Sequence, residues 1–363
     1  MPGDGLRLLR WFRARRRGFP WRTALPRDPY AVLVAEVMAQ QTQIERVVPA
    51  YLRFISRFPS LASLACASED EVVREFSGLG YYRRARYLHR AAQAIQERGG
   101  WPATPEALRA LPGFGAYTAA AVSAFCFGGE EPPVDGNIAR VAARMGALSL
   151  ALGSSKLLGA ATVLAGRLFA ETRTPEVWEA MMELGATICG PAATSCPECP
   201  LVASCAAAAA GMPLAFPAPK PRRAAETQRW VTIWAERPDG HVLLRRIEDG
   251  LLLRGMWLPP FRALHAGEDA AVAARTLARE TRYRGSLNPA PSVQHNITHR
   301  KITVHPFVAP VRRSSVAEPR PGWSWEDWRS PSVPTASLLA KLAAVCAGEA
   351  ATEGQRFVAE NEG

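Results

Sequence analysis

Lysine is nearly missing from this chain. Of 44 basic residues only Lys156, Lys220, Lys301 and Lys341 are lysines, and none precedes Lys156. The first 155 residues therefore offer no side-chain amine for a Schiff-base nucleophile. Only an N-terminal amine, on Pro2 if Met1 is removed, remains there, and nothing in the sequence places it near a site. Also missing are an apolar run long enough to cross a bilayer and the apolar stretch and cleavage site of an export signal. A cytoplasmic protein with no membrane partner is expected. Acidic residues are outnumbered, 33 against 44, giving a net charge of +11 and a pI near 9.7, which suits an anionic partner. Cysteines are few as well, seven in all, yet four crowd into positions 189–205. Without an export signal that crowding favours a metal site over disulfides.

A chain of 363 residues exceeds one ordinary core, so two domains are expected. Residues 6–210 read as helix after helix. DPYAVLVAEVMAQQTQIERVVPAYLRFISRF, EDEVVREF, RRARYLHRAAQAI and PEVWEAMMELGATI carry apolar residues at three- and four-residue spacing. GLGYY, GGWPATP, LPGFG and PPVDGN punctuate them as turns. The stretch PLAFPAPKPRRAAETQ, 213–228, is proline-rich and aperiodic, a linker. Beyond it VTIWAE, a PDG turn and HVLLRR form a hairpin, KITVHPFVAP reads as a strand, and AVAARTLARETR and ASLLAKLAAVCAG as helices. The expected fold class is thus multidomain: an all-α domain at 1–212, a linker at 213–228, an α+β domain at 229–348 and a disordered tail at 349–363.

Four features carry chemistry. Cys189, Cys196, Cys199 and Cys205 stand at spacing C-x6-C-x2-C-x5-C, four thiolates able to wrap one soft metal centre, zinc or iron–sulfur. LPGFG, with Leu111, Gly113 and Gly115, followed by a helix, offers close backbone approach and free N–H groups to a phosphate; alone it is also an ordinary αα-corner. Asp135 stands just before a helix in VDGNIARVAARMGAL, as an N-cap does, and capping is compatible with an ionised, oriented carboxylate. Glu36 is the odd residue of an apolar helix, flanked by Val34–Ala35 and Val37–Met38. It is either a satisfied structural carboxylate or, in a dry pocket, a general acid with a raised pKa.

Hairpin, helix and Asp135, with the cysteine loop, resemble the helix-hairpin-helix–GPD superfamily, and the nearer match is the adenine DNA glycosylases of the MutY type. AEVMAQQTQ resembles their helix with the general acid at Glu36. GLGYYRRAR resembles the wedge loop, with Gln40, Gln41 and Tyr81 at the DNA. The resemblance implies Glu36 protonating the base, Asp135 stabilising the oxocarbenium-like sugar and Asn137 bonding beside them. It also implies Trp21, Arg22 and Glu183 around the adenine, Leu111, Gly113 and Gly115 on the DNA strand, and a [4Fe–4S] cluster on the four cysteines. Bifunctional members carry a lysine after the hairpin, where this chain has Tyr117, so base removal without strand cutting is implied.

The second half resembles the family's Nudix-like lesion-recognition domain. HNITHRKITVHPF places Thr298 and His299 against 8-oxoguanine, although Ile297 replaces the usual aromatic residue and Thr298 the usual serine. AVAARTLARETR lacks the run of glutamates that holds magnesium in hydrolytic Nudix enzymes, so no pyrophosphatase activity is expected. The loop GPAATS between the first two cluster cysteines has no basic residue, which throws phosphate binding onto the arginine-rich N-terminal arm and RRARY. The implied partner is double-stranded DNA with A:8-oxoguanine or A:G mispairs, bound by a monomer. The rivals are a thymine or uracil mismatch glycosylase and a non-catalytic iron–sulfur DNA-binding protein.

Overall fold

The computed structural model of the chain describes residues 3–219, 224–249, 252–311 and 320–347. The expected tail at 349–363 and the middle of the expected linker, 220–223, lie outside them. Two compact units emerge: Met1–Cys66 with Arg84–Arg222, and Ala67–Arg83 with Arg223–Gly363. Residues 67–83, expected in the helical half, thus group with the second unit. There Asp70 pairs with Arg246 at 3.3 Å, and Arg74 Nη1 donates to the Ser332 carbonyl at 3.0 Å.

The helices in chain order begin with α1 (Asp4–Arg15), α2 (Pro29–Ala39), α3 (Ile44–Arg57) and α4 (Leu61–Ala65). Next come α5 (Glu69–Glu75, in the second unit), α6 (Arg83–Glu97), α7 (Pro105–Arg109) and α8 (Ala116–Phe127). The helical unit closes with α9 (Gly136–Met145), α10 (Ser155–Thr172), α11 (Glu176–Thr187) and α12 (Ala206–Ala209). It packs as two groups, α2 on α3 and α8, and α9 on α10 and α11, with α1 against α10 and α11. Helix α2 is apolar nearly all round and correspondingly buried on all sides. Its start is fixed by Pro29 in the first turn and by the Asp28 carboxylate, which accepts from the Tyr30 and Ala31 N–H groups at 3.1 and 3.2 Å. The apolar periodicity over 28–58 is interrupted at Gln40–Gln43, where α2 ends and α3 has not begun.

Much of the expected linker belongs elsewhere. Ala218 bridges Ala151, and the Phe216 carbonyl accepts from Arg144 Nε at 2.9 Å, binding 216–218 to the helical unit. In the second unit β1 (Glu226–Glu236) starts before 229, because Glu226–Gln228 pair with Arg300–Ile302. The other strands are β2 (His241–Arg246), β3 (Trp257–Leu258), β4 (Phe261–Ala263), β5 (Asn288–Pro289), β6 (Val293–Ile297), β7 (Arg300–Pro310) and β8 (Trp323–Asp327). Among the described residues they form one mixed sheet in the order β3-β2-β1-β7-β5. In it β1 runs parallel to β7, β6 and β7 form a hairpin, β4 pairs with β1 and β8 with β2. Helix α13 (Ala270–Glu280) buries Ala273, Ala274, Leu277 and Ala278 against Val231, Ile233 and Ala235 of β1. Helix α14 (Ser337–Cys346) packs on β6 and β7. The α+β expectation for this half agrees with that sheet and its two helices.

Candidate active site

Glu36 lies in the last turn of α2, half-buried between core residues, and its Oε2 accepts from the Tyr117 hydroxyl at 2.7 Å. Burial pushes its carboxyl up to about 7. The Tyr117 hydrogen bond and the Arg27 charge oppose that rise, while Asp135 and Glu179 add to it. A carboxyl poised near neutral pH suits a general acid. Tyr117, in the first turn of α8, has its own pKa driven well above the usual value by burial and by the Glu36 charge, so it stays a neutral donor.

Asp135 is the N-cap of α9. One oxygen accepts from the Ile138 N–H at 2.8 Å, the other from the Asn137 amide at 2.6 Å. Burial raises its pKa nonetheless, against those hydrogen bonds and the Arg140 charge. Both carboxyls are thus displaced upward, but unequally supplied with donors. Asp135 has two hydrogen bonds and the Arg140 guanidinium favouring its anion, Glu36 one hydroxyl and the Arg27 charge. Arg140 Nη2 donates to the side-chain Oδ1 of Asn137 and to the Gly185 backbone carbonyl, both at 2.7 Å, and its Nε to the Cys189 backbone carbonyl at 2.9 Å. Close approach of α11 makes this possible: a Cβ on Gly185 would sit 2.6 Å from Asn137 Cβ.

Behind the pair runs a buried ion network that sequence reasoning caught only in part. Glu183, 2% exposed, takes Arg17 Nε at 2.7 Å and Arg22 Nη2 at 3.2 Å. Burial would raise its pKa, but those two guanidiniums hold it below the usual value. Glu179, its neighbour one turn back, takes a two-pronged pair from Arg27 at 2.8 and 2.7 Å and Arg22 Nε at 3.2 Å. Glu179 and Arg27 were not singled out. Their signal was the four-residue spacing of Glu179 and Glu183 on one face of α11, opposite arginines at 22 and 27. Trp21 stacks on Phe19, centroids 5.1 Å apart, with its edge against Tyr51. Five arginines of the N-terminal arm stand in ion pairs with acids of the same unit. Arg7 pairs with Asp4, Arg13 and Arg16 with Glu176, Arg15 with Glu198 and Arg17 with Glu183.

The expected DNA contacts divide. Gly113 is left-handed (φ 77°), and Tyr87 Cβ lies 2.4 Å from where its own Cβ would be, so this corner admits only glycine. Gly115, the N-cap of α8, faces open space. Leu111 is 6% exposed, in the core behind the hairpin. Gln40 is half-buried and donates to Thr118 Oγ1 at 3.3 Å. Gln41 is exposed, and so, in the second unit, are Tyr81 and Thr298. All three hold left-handed backbones, φ 54°, 48° and 57°, each at a cost of about 1–3 kcal/mol. Strain of that kind concentrates where side chains are aimed at a ligand. In RRARY, Arg84 is buried and spent internally, not offered to phosphate.

The four cysteines follow α11. Cys189 bridges Thr194, short 3-10 turns span Cys196–Glu198 and Val202–Ser204, and α12 starts after Cys205. Burial pushes the Cys199 thiol up to about 11, with Cys189, Cys205 and Cys196 adding to the rise, so those three stand within electrostatic reach of Cys199. Arg144 Nη1 lies 3.1 Å from Cys189 Sγ. Four cysteines on one short loop, with a guanidinium at Cys189, are the donor set a thiolate-bound cluster needs. Among the described residues no group of three or more Cys, His, Asp or Glu is gathered as a metal-ion site.

Residues 34–153 match the HhH-GPD superfamily base excision DNA repair protein family. The adenine DNA glycosylase of Mus musculus is 32% identical over 389 residues, spanning 91% of this chain and 75% of its own. The chain belongs to the adenine DNA glycosylase family. That of Mycolicibacterium smegmatis is 37% identical over 228 residues, 62% of this chain and 76% of its own. The human enzyme is 41% identical over 213 residues, 55% of this chain and 38% of its own. The chain thus spans about two fifths of the human and rat relatives it matches. In this family member the expected lesion loop is the β6–β7 turn. The Thr298 hydroxyl donates to the Ile297 carbonyl at 2.6 Å, and His299 Nε2 lies 3.7 Å from Glu226. No helix among the described residues is long and apolar enough to cross a membrane.

Proposed function

We propose that this chain removes adenine from A:8-oxoguanine and A:G mispairs by hydrolysing the N-glycosidic bond, and leaves the abasic strand uncut. The observation that carries the reading is the unequal carboxyl pair: Glu36 raised to about 7 with one hydroxyl on it, Asp135 held by two hydrogen-bond donors at the head of α9. Glu36, protonated, gives its proton to the flipped base, because the anionic purine is a poor leaving group. Asp135, ionised, stabilises the cation that develops on the sugar, and Asn137 keeps its carboxylate in place. Tyr117 holds Glu36 from the other side, where a lyase lysine would otherwise stand. Trp21, Arg22 and Glu183 are assigned to the adenine, Gln41, Tyr81, Gly113 and Gly115 to the DNA, and Thr298 and His299 in a Nudix-like second domain to the oxidised base. Cys189, Cys196, Cys199 and Cys205 would hold a [4Fe–4S] cluster, which when bound ties the end of α11 to α12. The working form is a cytoplasmic monomer on double-stranded DNA.

The test uses duplexes carrying A:8-oxoguanine, A:G, T:G or U:G, with the released base identified by chromatography. Free adenine from the first two alone is expected. Release of thymine or uracil would replace this reading with that of a pyrimidine mismatch glycosylase.

A further inference from the structure

Arg84 is charged, 8% exposed and used by none of the chemistry above. It stands at the start of α6 and reaches across to the end of α2, the helix that carries Glu36. Its Nη1 donates to the carbonyls of Val37 at 2.9 Å, Met38 at 2.8 Å and Gln40 at 2.5 Å, and its Nη2 to Thr42 Oγ1 at 3.0 Å. The last carbonyls of a helix have no partner within it, and its C-terminus carries partial negative charge. A buried guanidinium is the group best shaped to satisfy several of them together. These acceptors bracket Gln41, whose left-handed backbone is the tip of the turn between α2 and α3. One turn further along α6, Tyr87 Cβ stands where Gly113 has no side chain. Gln40, Arg84, Tyr87, Pro112 and Gly113 line one small cavity. A single face of α6 therefore touches both the Gln41 turn and the hairpin.

We infer that Arg84 is a positioning residue for base extrusion: it clamps the C-terminus of α2 so that Gln41 projects at a fixed register against the hairpin. This rests on the proposed reading of Gln41 as a residue that fills the duplex. Loss of the clamp frees the strained turn to relax, and Gln41 retracts from the stack. Base extrusion then fails, although Glu36 and Asp135 keep their hydrogen-bond partners.

The experiment uses the full chain with Glu36→Gln, which blocks excision, and an A:8-oxoguanine duplex with 2-aminopurine beside the mispair. Insertion into the stack raises the fluorescence. Adding Arg84→Met should abolish most of that rise, and adding Arg84→Lys, which keeps a donor and the charge, should restore more than half of it. With Glu36 intact, Arg84→Met should slow single-turnover excision about a hundredfold per titrated site, the scale of a small misplacement. Thr42→Val, which deletes one acceptor without leaving a charge unpaired, should give a smaller loss in the same direction and covers the case of an unfolded Arg84→Met. An unchanged fluorescence rise in Arg84→Met or Thr42→Val, or a Lys variant as impaired as Met, would overturn the inference. Fluorescence needs no chemistry, so failure of the wild-type chain to release adenine would count against the proposed function and leave the clamp to be judged separately.

Discussion

Replacing Glu36 by glutamine should stabilise the protein at alkaline pH while abolishing excision. Burial displaces this carboxyl from its usual 4.5 to about 7. At 1.36 kcal/mol per pH unit the displacement amounts to about 3 kcal/mol, an upper limit for a half-buried group. The sign follows from linkage. Below pH 4.5 both folded and unfolded chains hold the proton, and the acid imposes no penalty. Between 4.5 and 7 the unfolded chain releases it and the folded chain does not, so stability falls, and above about 7 the full penalty is in place. Glutamine keeps the shape and an acceptor for Tyr117 but has no proton to lose. Thermal melts of the wild-type and Glu36→Gln chains should therefore coincide near pH 4 and diverge as pH rises. With roughly 2–4 °C per kcal/mol for a unit of this size, the variant should melt roughly 6–12 °C higher at pH 8. Excision by the wild-type chain should fall as pH rises through about 7, where the folded chain loses the acid. Parallel melting curves across the whole range would refute a buried, proton-retaining Glu36.

Asp135→Asn should leave the fold intact, because asparagine also caps helices, yet slow excision about 10²–10³-fold in single-turnover assays through loss of the charge beside the sugar. Glu179→Gln strips the charge partner from Arg27, 5% exposed, and should cost about 3–5 kcal/mol in denaturant titrations. In any folded fraction it should also lower the pH at which Glu36 titrates, since the Glu179 charge raises it. Thr298→Ala removes the hydroxyl at the tip of the β6–β7 turn and should shrink the rate ratio between A:8-oxoguanine and A:G duplexes, with the A:G rate unchanged.

Sequence alone made legible those features whose signal is local. Asp135 was readable because a helix cap needs only its own turn, and Glu36 because a carboxyl in an apolar helix must be explained wherever that helix packs. The LPGFG corner was readable as a glycine-dependent turn, and the strands of the second unit from period-two runs. What stayed hidden depends on partners far along the chain. Arg27 and Glu179 stand 152 residues apart, and the spacing of Glu179 and Glu183 marks an acidic face without saying which arginine meets it. Arg84 sits in RRARY, where arginine density reads as a phosphate-binding stripe until packing turns one of the three inward. The ion pairs of the N-terminal arginines were hidden in the same way, since Glu176 and Glu183 of α11 and Glu198 of the cysteine loop lie more than 150 residues on. Residues 67–83 read as one more helix-and-turn of the helical half, and only contacts such as Asp70 to Arg246 place them with the sheet.

The most direct measurement is strand scission on a labelled A:8-oxoguanine duplex under enzyme excess, scored before and after hot alkali and with borohydride present. Tyr117 in place of a lyase lysine, beside a protonated Glu36, predicts cleavage only after alkali and no borohydride-trapped protein–DNA adduct. Cleavage without alkali, or a trapped adduct, would contradict it.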